Sequence, residues 1–376
     1  MTVKKCRALL VFIVLIYAFS FMAFAQANDF FEEQIESSGA NELFDNLSDE
    51  QKELLGKLDI VGVDFEKFLA ISPHKVFDLL FEVISGNYKS PMKTSFNIGA
   101  MIIAVSIASQ FLGNDGKMFR VVSIFAVLCI SLCLIMPLTY CITRVVSAIE
   151  LSSDFMLGLI PVLAAVITVS GNPVLALSYN SLCFMLAQAI TQLANSFIRP
   201  LIQLLLSLGI ITPINDSVSF EKIIAFIKKI TVLIMSAAAT VFILLLTVKG
   251  VLANASDGVA VRGIRFLIGN IVPFIGGAIS DAYVSILGTL SLVKNTVAVF
   301  AVAVVAVTNL PVIIECLCWI LAINLLEALS DMFALKNISK LLSACGSAIS
   351  LLEVLLLLIS IVFILSVGLI MVIKGG

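Results

Sequence analysis

The chain has 376 residues, 60% of them hydrophobic and 13% charged, with a mean hydropathy of +1.14 and a formal charge of −2. A soluble domain cannot bury that much apolar surface, so the composition excludes a water-soluble globular protein and points to an all-α, polytopic α-helical membrane protein. Charge is unevenly spread: residues 28–92 hold 14 acids and 5 lysines, whereas residues 93–376 hold 11 acids and 15 bases. Neither part has the basic face that nucleic-acid binding requires.

Residues 1–25 open with Lys4, Lys5 and Arg7, continue as an apolar run from Ala8 to Phe24, and offer small residues at Ala23 and Ala25. This pattern reads as a secretory signal peptide cleaved after Ala25 or Ala27, with an uncleaved anchor as the competing reading. Either one delivers the following acidic segment across the membrane. Residues 26–92 are therefore expected to form a small extracytosolic helical region of three or four short helices. Leu43, Leu47, Leu54, Leu55 and Leu58 recur near helical spacing, and Ser48 followed by Gln51 resembles a capping box. Pro73 suits the first turn of a further helix.

Residues 93–376 form the membrane domain. About 20 helical residues cross a hydrocarbon core of about 30 Å. Spans are expected at Ser95–Gly113, Val121–Thr143, Leu151–Val169, Val174–Ile198 and Ile230–Val248, then near Ile271–Val293, and at Thr296–Ile314, Cys316–Leu335 and Ile349–Ile373. Residues 200–214 look too short to cross alone and suit the interface. Hydropathy thus gives seven to nine spans or re-entrant segments. The positive-inside rule places Lys117 and Arg120, and the cluster Lys222, Lys228 and Lys229, on the cytosolic side, and Lys374 favours an inward C-terminus.

Chemistry is sparse. Cys6 leaves with the signal, the other seven cysteines fall in apolar runs, and His74 is the single histidine, so no metal site or cofactor is expected. No GxxxxGK[ST], HExxH or GxSxG motif is present, which argues against an enzyme. Acids at membrane depth are more informative. Glu150 with Asp154 and Glu327 with Asp331 are like charges four apart on one helix face, and Arg144 and Lys336 are their expected counter-ions unless both pairs simply mark helix ends. Glu315, Asp281 and Glu353 are candidates for an internal polar site. Gln188, Gln192 and Asn195 make a polar stripe on the fourth span, read either as helix-to-helix hydrogen bonding or as the wall of a wet path.

The stretch from Arg262 to Leu292 is apolar enough to enter a bilayer, yet holds Pro273, Gly276, Gly277 and Asp281. Proline removes a backbone donor and glycine weakens a helix, so freed backbone groups at membrane depth need protein or water partners. Two readings follow: a kinked helix whose glycines admit a close neighbour, or a broken, re-entrant segment lining a polar cavity or protein contact. Leucine at Gly276 or Gly277 is expected to impair assembly, whereas Cys133→Ala is expected to be nearly silent.

An exported acidic segment after a signal, then a multi-span body with Lys249–Gly250 and NIVPFIGGAISDA at 270–282, resembles the stage III sporulation protein AE family of endospore-forming Firmicutes. Its most specific part is the core of Pro273, Gly276, Gly277, Ser280 and Asp281. The resemblance implies a non-enzymatic component of a channel or secretion-like complex in the mother-cell membrane around the forespore. Its implied partners are other membrane proteins of the same sporulation operon and a forespore membrane partner, within the lipid bilayer. It implies no catalytic residues. The alternative from another class is an autonomous secondary transporter with its site at the broken segment 270–282.

Overall fold

The computed structural model describes residues 35–36, 38–64, 68, 71–112, 116–169, 173–214, 220–271 and 276–372. The signal-peptide segment, Pro273 and Lys374 lie outside them. All regular structure among the described residues is helical: α1 (Ala40–Asp45), α2 (Asp49–Lys57), α3 (Pro73–Asn87), α4 (Lys89–Leu112), α5 (Gly116–Val169), α6 (Pro173–Leu193), a π turn (Ala194–Ile198), α7 (Arg199–Ile211), α8 (Glu221–Ile271), α9 (Gly276–Met332) and α10 (Lys336–Val372). Among the described residues six helices are long and apolar enough to cross a membrane, and the chain is an all-α polytopic membrane protein.

The short N-terminal helices form where their local signals place them. The Ser48 hydroxyl accepts from the Gln51 amide at 3.3 Å while the Gln51 side chain accepts from the Ser48 amide at 2.9 Å, closing the capping box that starts α2. Pro73 opens α3, capped by Ser72, whose hydroxyl accepts from the His74 amide at 3.3 Å. Lys57 ties α2 to α3, lying 2.9 Å from both Glu53 and Glu82. Hydrogen bonds that its ammonium donates to those two carboxylates, Glu53 foremost, hold it above the usual lysine range. Asp59 and Lys75 pair across the same junction.

Leu43, Leu47, Leu54, Leu55 and Leu58 are all buried, and they share one hydrophobic core with the long helices. Phe300 of α9 is the meeting point. Its ring stands 6.4 Å from Phe44, 6.3 Å from Phe68 and 6.1 Å from Phe155 of α5, distances at which aromatic rings attract one another beyond their area burial.

The long helices differ from the expected spans in a consistent way. Val121–Thr143 and Leu151–Val169 belong to one 54-residue helix, α5, and Thr296–Ile314 and Cys316–Leu335 belong to the 57-residue α9. At 1.5 Å per residue these are about 81 and 86 Å long, more than twice the bilayer core. Two pairs of expected spans are thus two continuous helices, while the expected stretch near Ile271–Val293 lies largely among residues whose side chains the structure does not describe and stands outside the six crossing candidates. The physical reason is that Arg144 and Glu150, or Glu315, interrupt hydropathy without breaking a helix; only proline, glycine and short polar residues compete for the backbone. Even Pro137, Pro161 and Pro311 stand inside these helices.

Residues 199–211 are also not an interfacial segment. The π turn joins α6 to α7 into a single crossing candidate, Ala176–Ile211. α7 packs so closely on α10 that a Cβ added at Gly209 would stand 2.5 Å from the Cβ of Ala344. Likewise α3 runs into α4 through Tyr88, whose amide bonds to the Ile84 carbonyl at 3.0 Å, so the first crossing candidate is Pro73–Phe111.

α9 and α10 are the most buried of the long helices, with the single tryptophan, Trp319, 2% exposed between them and their neighbours. A tight turn connects them: the Leu335 amide bonds back to the Ser330 carbonyl at 2.9 Å and Ala334 takes a left-handed φ of 56°. Asn337 of α10 donates to Ser123 of α5 at 3.4 Å, Lys340 pairs with Glu221 of α8 at 2.6 Å, and Lys228 donates to Ser347 at 3.1 Å. The opening turns of α5, α8 and α10 therefore gather at one end, and the basic residues around 117–120 and 222–229 share that end.

Candidate functional site

Where α2 meets α5 and α9, the buried carboxylate Glu315 meets a half-buried arginine. Arg144 sits in mid-helix on α5 because TRVVSAIE carries no breaker. Its Nε lies 3.5 Å from Glu315 Oε2 on α9, and its Nη1 lies 3.7 Å from Glu50 Oε1 on α2. One guanidinium thus serves two carboxylates from different helices. Glu315 is 8% exposed, and its other oxygen accepts from the Cys141 thiol at 3.8 Å. Glu50 is far more exposed, so it contributes a screened contact, whereas Glu315 is buried with Arg144 as its counter-ion. Arg144 Nε is buried without a hydrogen bond, its contact with Glu315 being an ion pair at longer range.

Neutral polar groups extend the cluster into a belt. Gln51 Nε2 donates to Thr308 Oγ1 at 2.7 Å, buried between α2 and α9. Ser152 and Asn309 exchange hydrogen bonds at 3.3 and 3.1 Å, joining α5 to α9. Thr191 donates to Ser153 at 2.8 Å and Asn195 donates to Glu150 at 2.7 Å, joining α6 and the π turn to α5. Every such bond crosses between helices, and polar side chains used this way hold helices in register. A cavity of about 70 Å³ lies under α2, lined by Glu50, Gln51, Arg144, Ser147 and Thr308 among others. It has room for a few waters and no organic substrate.

Of the residues singled out from the sequence, Glu315 lies in this cluster. Arg144 serves Glu315 and Glu50, not the expected Glu150 and Asp154; those two face outward in mid-helix, with Glu150 held by Asn195. Lys336, the expected partner of Glu327 and Asp331, makes no ion pair with them among the described residues. Gln188 and Gln192 are exposed on α6, away from the cluster, while the half-buried Asn195 is bonded to Glu150 of α5. Gly276, Gly277, Ser280 and Asp281 lie on the opening turns of α9, and α8 ends at Ile271; the side chains of 276–281, like Pro273, lie outside what the structure describes. Sequence reasoning missed Gln51, Glu50, Thr308, Asn309 and Ser152. Thr308, Asn309 and Ser152 gave a faint signal as neutral polar residues in apolar runs, while Glu50 and Gln51 stood in a polar helix where Gln51 read only as a cap.

Among the described residues no three His, Cys, Asp or Glu side chains gather to hold a metal ion. The seven described cysteines are free thiols, buried or half-buried in helices.

The family profile described as stage III sporulation protein AE matches residues 69–375. The stage III sporulation protein AE of Bacillus subtilis (strain 168) is 28% identical over 157 residues, which cover 42% of this chain and 39% of that protein. The match thus spans about two-fifths of the curated relative. No solved structure matches. With the profile covering most of its length, from α3 through α10, the chain belongs to the stage III sporulation protein AE family.

Proposed function

We propose that this protein is a non-enzymatic, multi-pass component of a channel or secretion-like complex linking mother cell and forespore, required for late forespore development. In this reading it resides in the mother-cell membrane around the forespore, with the N-terminal region outside the cytosol after signal cleavage. It works there with membrane proteins of the same operon and a forespore membrane partner. Family membership supports the sporulation role.

The observation that carries the assembly reading is the destination of the buried polar groups. Arg144, Glu315, Gln51, Thr308, Ser152 and Asn309 are spent on one another across helix interfaces. The cavity among them is far below the several hundred cubic ångströms of an ordinary ligand site. A bundle locked this way suits a scaffold or wall better than an alternating-access carrier.

The test is reconstitution beside co-purification. The purified full-length chain in proteoliposomes is expected to leave entrapped carboxyfluorescein and labelled small solutes undisturbed. The tagged chain from sporulating cells is expected to bring down the other membrane proteins of its operon. Solute uptake by the chain alone, abolished by Asp281→Asn, would establish the transporter instead.

A further inference from the structure

Among the described residues, a polar stripe lies exposed on one side of the bundle. Along α6, the π turn and α7, the exposed positions include Ser181, Gln188, Gln192, Ser196, Gln203 and Ser207, separated by sevens and fours. They run over some 26 residues, about 39 Å of helix, which exceeds the thickness of the hydrocarbon core. Around them the surface is apolar: Phe184, Met185 and Phe197 are each 54% exposed. Lipid tails offer no hydrogen bonds, so amides and hydroxyls repeated along a membrane helix call for a protein or water counterpart. Local bonds answer only part of the demand. Gln192 Nε2 donates to Ser196 Oγ at 2.9 Å, and Ser207 returns its proton to the Gln203 carbonyl at 2.9 Å. The side-chain amides of Gln188 and Gln203 make no such bond among the described residues.

A second feature sits at the same surface. Beside Gln203 and Ser207 opens a crevice of about 210 Å³ between α5, α7 and α10, whose wall also includes Ser131 and Thr139. Leu204, one residue from Gln203, is 48% exposed and supplies a knob at that level. A knob and a hole side by side on one face are what two copies in contact require of each other.

We propose that this face is where a second copy of the chain packs, stripe against stripe. The argument for a copy over an unlike partner is self-complementarity. Copies inserted in the same orientation meet level with level about an axis along the membrane normal, so each residue type faces itself. Serine and glutamine each donate and accept, so every level can bond to its own image, and the six positions carry no charge to repel it. The proposal rests on the assembly reading and adds to it the surface through which copies join.

Single cysteines placed at Gln188 or Gln192 in the full-length chain, in native membranes, are treated with copper–phenanthroline. Disulfide-linked dimers are expected at both positions and not at Leu233→Cys, a control 65% exposed on α8. The wild type, whose seven described cysteines are buried or half-buried, is expected to stay monomeric on the same gel. The double variant Gln188→Leu with Gln192→Leu, folded by the criterion of a single sharp elution peak, is expected to shift native mass toward the monomer. Absence of dimers at the stripe, equal cross-linking at position 233, an adduct with a protein of different mass, or full labelling of the stripe cysteines by a membrane-impermeant maleimide would each overturn the proposal. Dimers together with autonomous solute uptake would keep the interface and discard the assembly reading; monomers that still co-purify with operon partners would do the reverse.

Discussion

Gln51 Nε2 lies 2.7 Å from Thr308 Oγ1, across 257 residues of sequence, and Thr308 in turn donates to the Val304 carbonyl at 2.7 Å. A capping-box residue of a short N-terminal helix is therefore also the polar contact that seats that helix on the membrane bundle. Thr308→Val removes the acceptor and leaves the Gln51 amide buried without one, at a cost of about 1–3 kcal/mol. Limited proteolysis of detergent-solubilised protein is expected to show faster cleavage within residues 40–64, with the bundle fragments unchanged.

Arg144→Ala isolates Glu315 beneath α2. Breaking a buried pair from one side costs about 3–5 kcal/mol, and the partial exposure of Arg144 puts this site at the low end. Because the penalty comes from the stranded carboxylate, Arg144→Met combined with Glu315→Gln is expected to recover most of the lost thermal stability. Differential scanning fluorimetry of the single and double variants reads this directly.

Phe300 contacts aromatic rings from α1, from the segment after α2, and from α5. Phe300→Ala is expected to destabilise the protein by about 3–5 kcal/mol. The loss should fall first on the N-terminal helices, whose hydrogen-exchange protection is expected to drop well before that of α10.

Gly209 admits α7 against α10 at a distance that forbids a side chain, since an added Cβ would stand 2.5 Å from that of Ala344. Gly209→Ala is expected to cost about 1–3 kcal/mol through overpacking. Adding Ala344→Gly should restore part of that loss in the same melting assay, whereas Ala344→Gly alone should be mildly destabilising.

Local rules made some of this architecture legible and tertiary pairing hid the rest. The Ser48–Gln51 box, Pro73 at the head of α3 and the leucines of 43–58 could be read because capping and helical spacing act within a few residues. Span boundaries were misread at Arg144–Glu150 and at Glu315, where a charge dips the hydropathy while the backbone continues unbroken, its partner standing on another helix. The segment at 200–214 was misread because Pro200 enters just after a π turn, which absorbs the missing donor. In the candidate site, Glu315 stood out as an acid in an apolar run. Nothing local showed that Arg144 would reach it, or that Asn195 would bond to Glu150.

The account turns on the N-terminal helices being seated on the bundle at the charged cluster. With cysteines at Gln51 and Thr308 in the full-length chain, a short bis-maleimide applied to native membranes should join the two positions, read by mass spectrometry of the linked peptides, and Arg144→Ala should lower the yield. No link, with the cysteine at position 51 labelled freely by an impermeant maleimide, would contradict it.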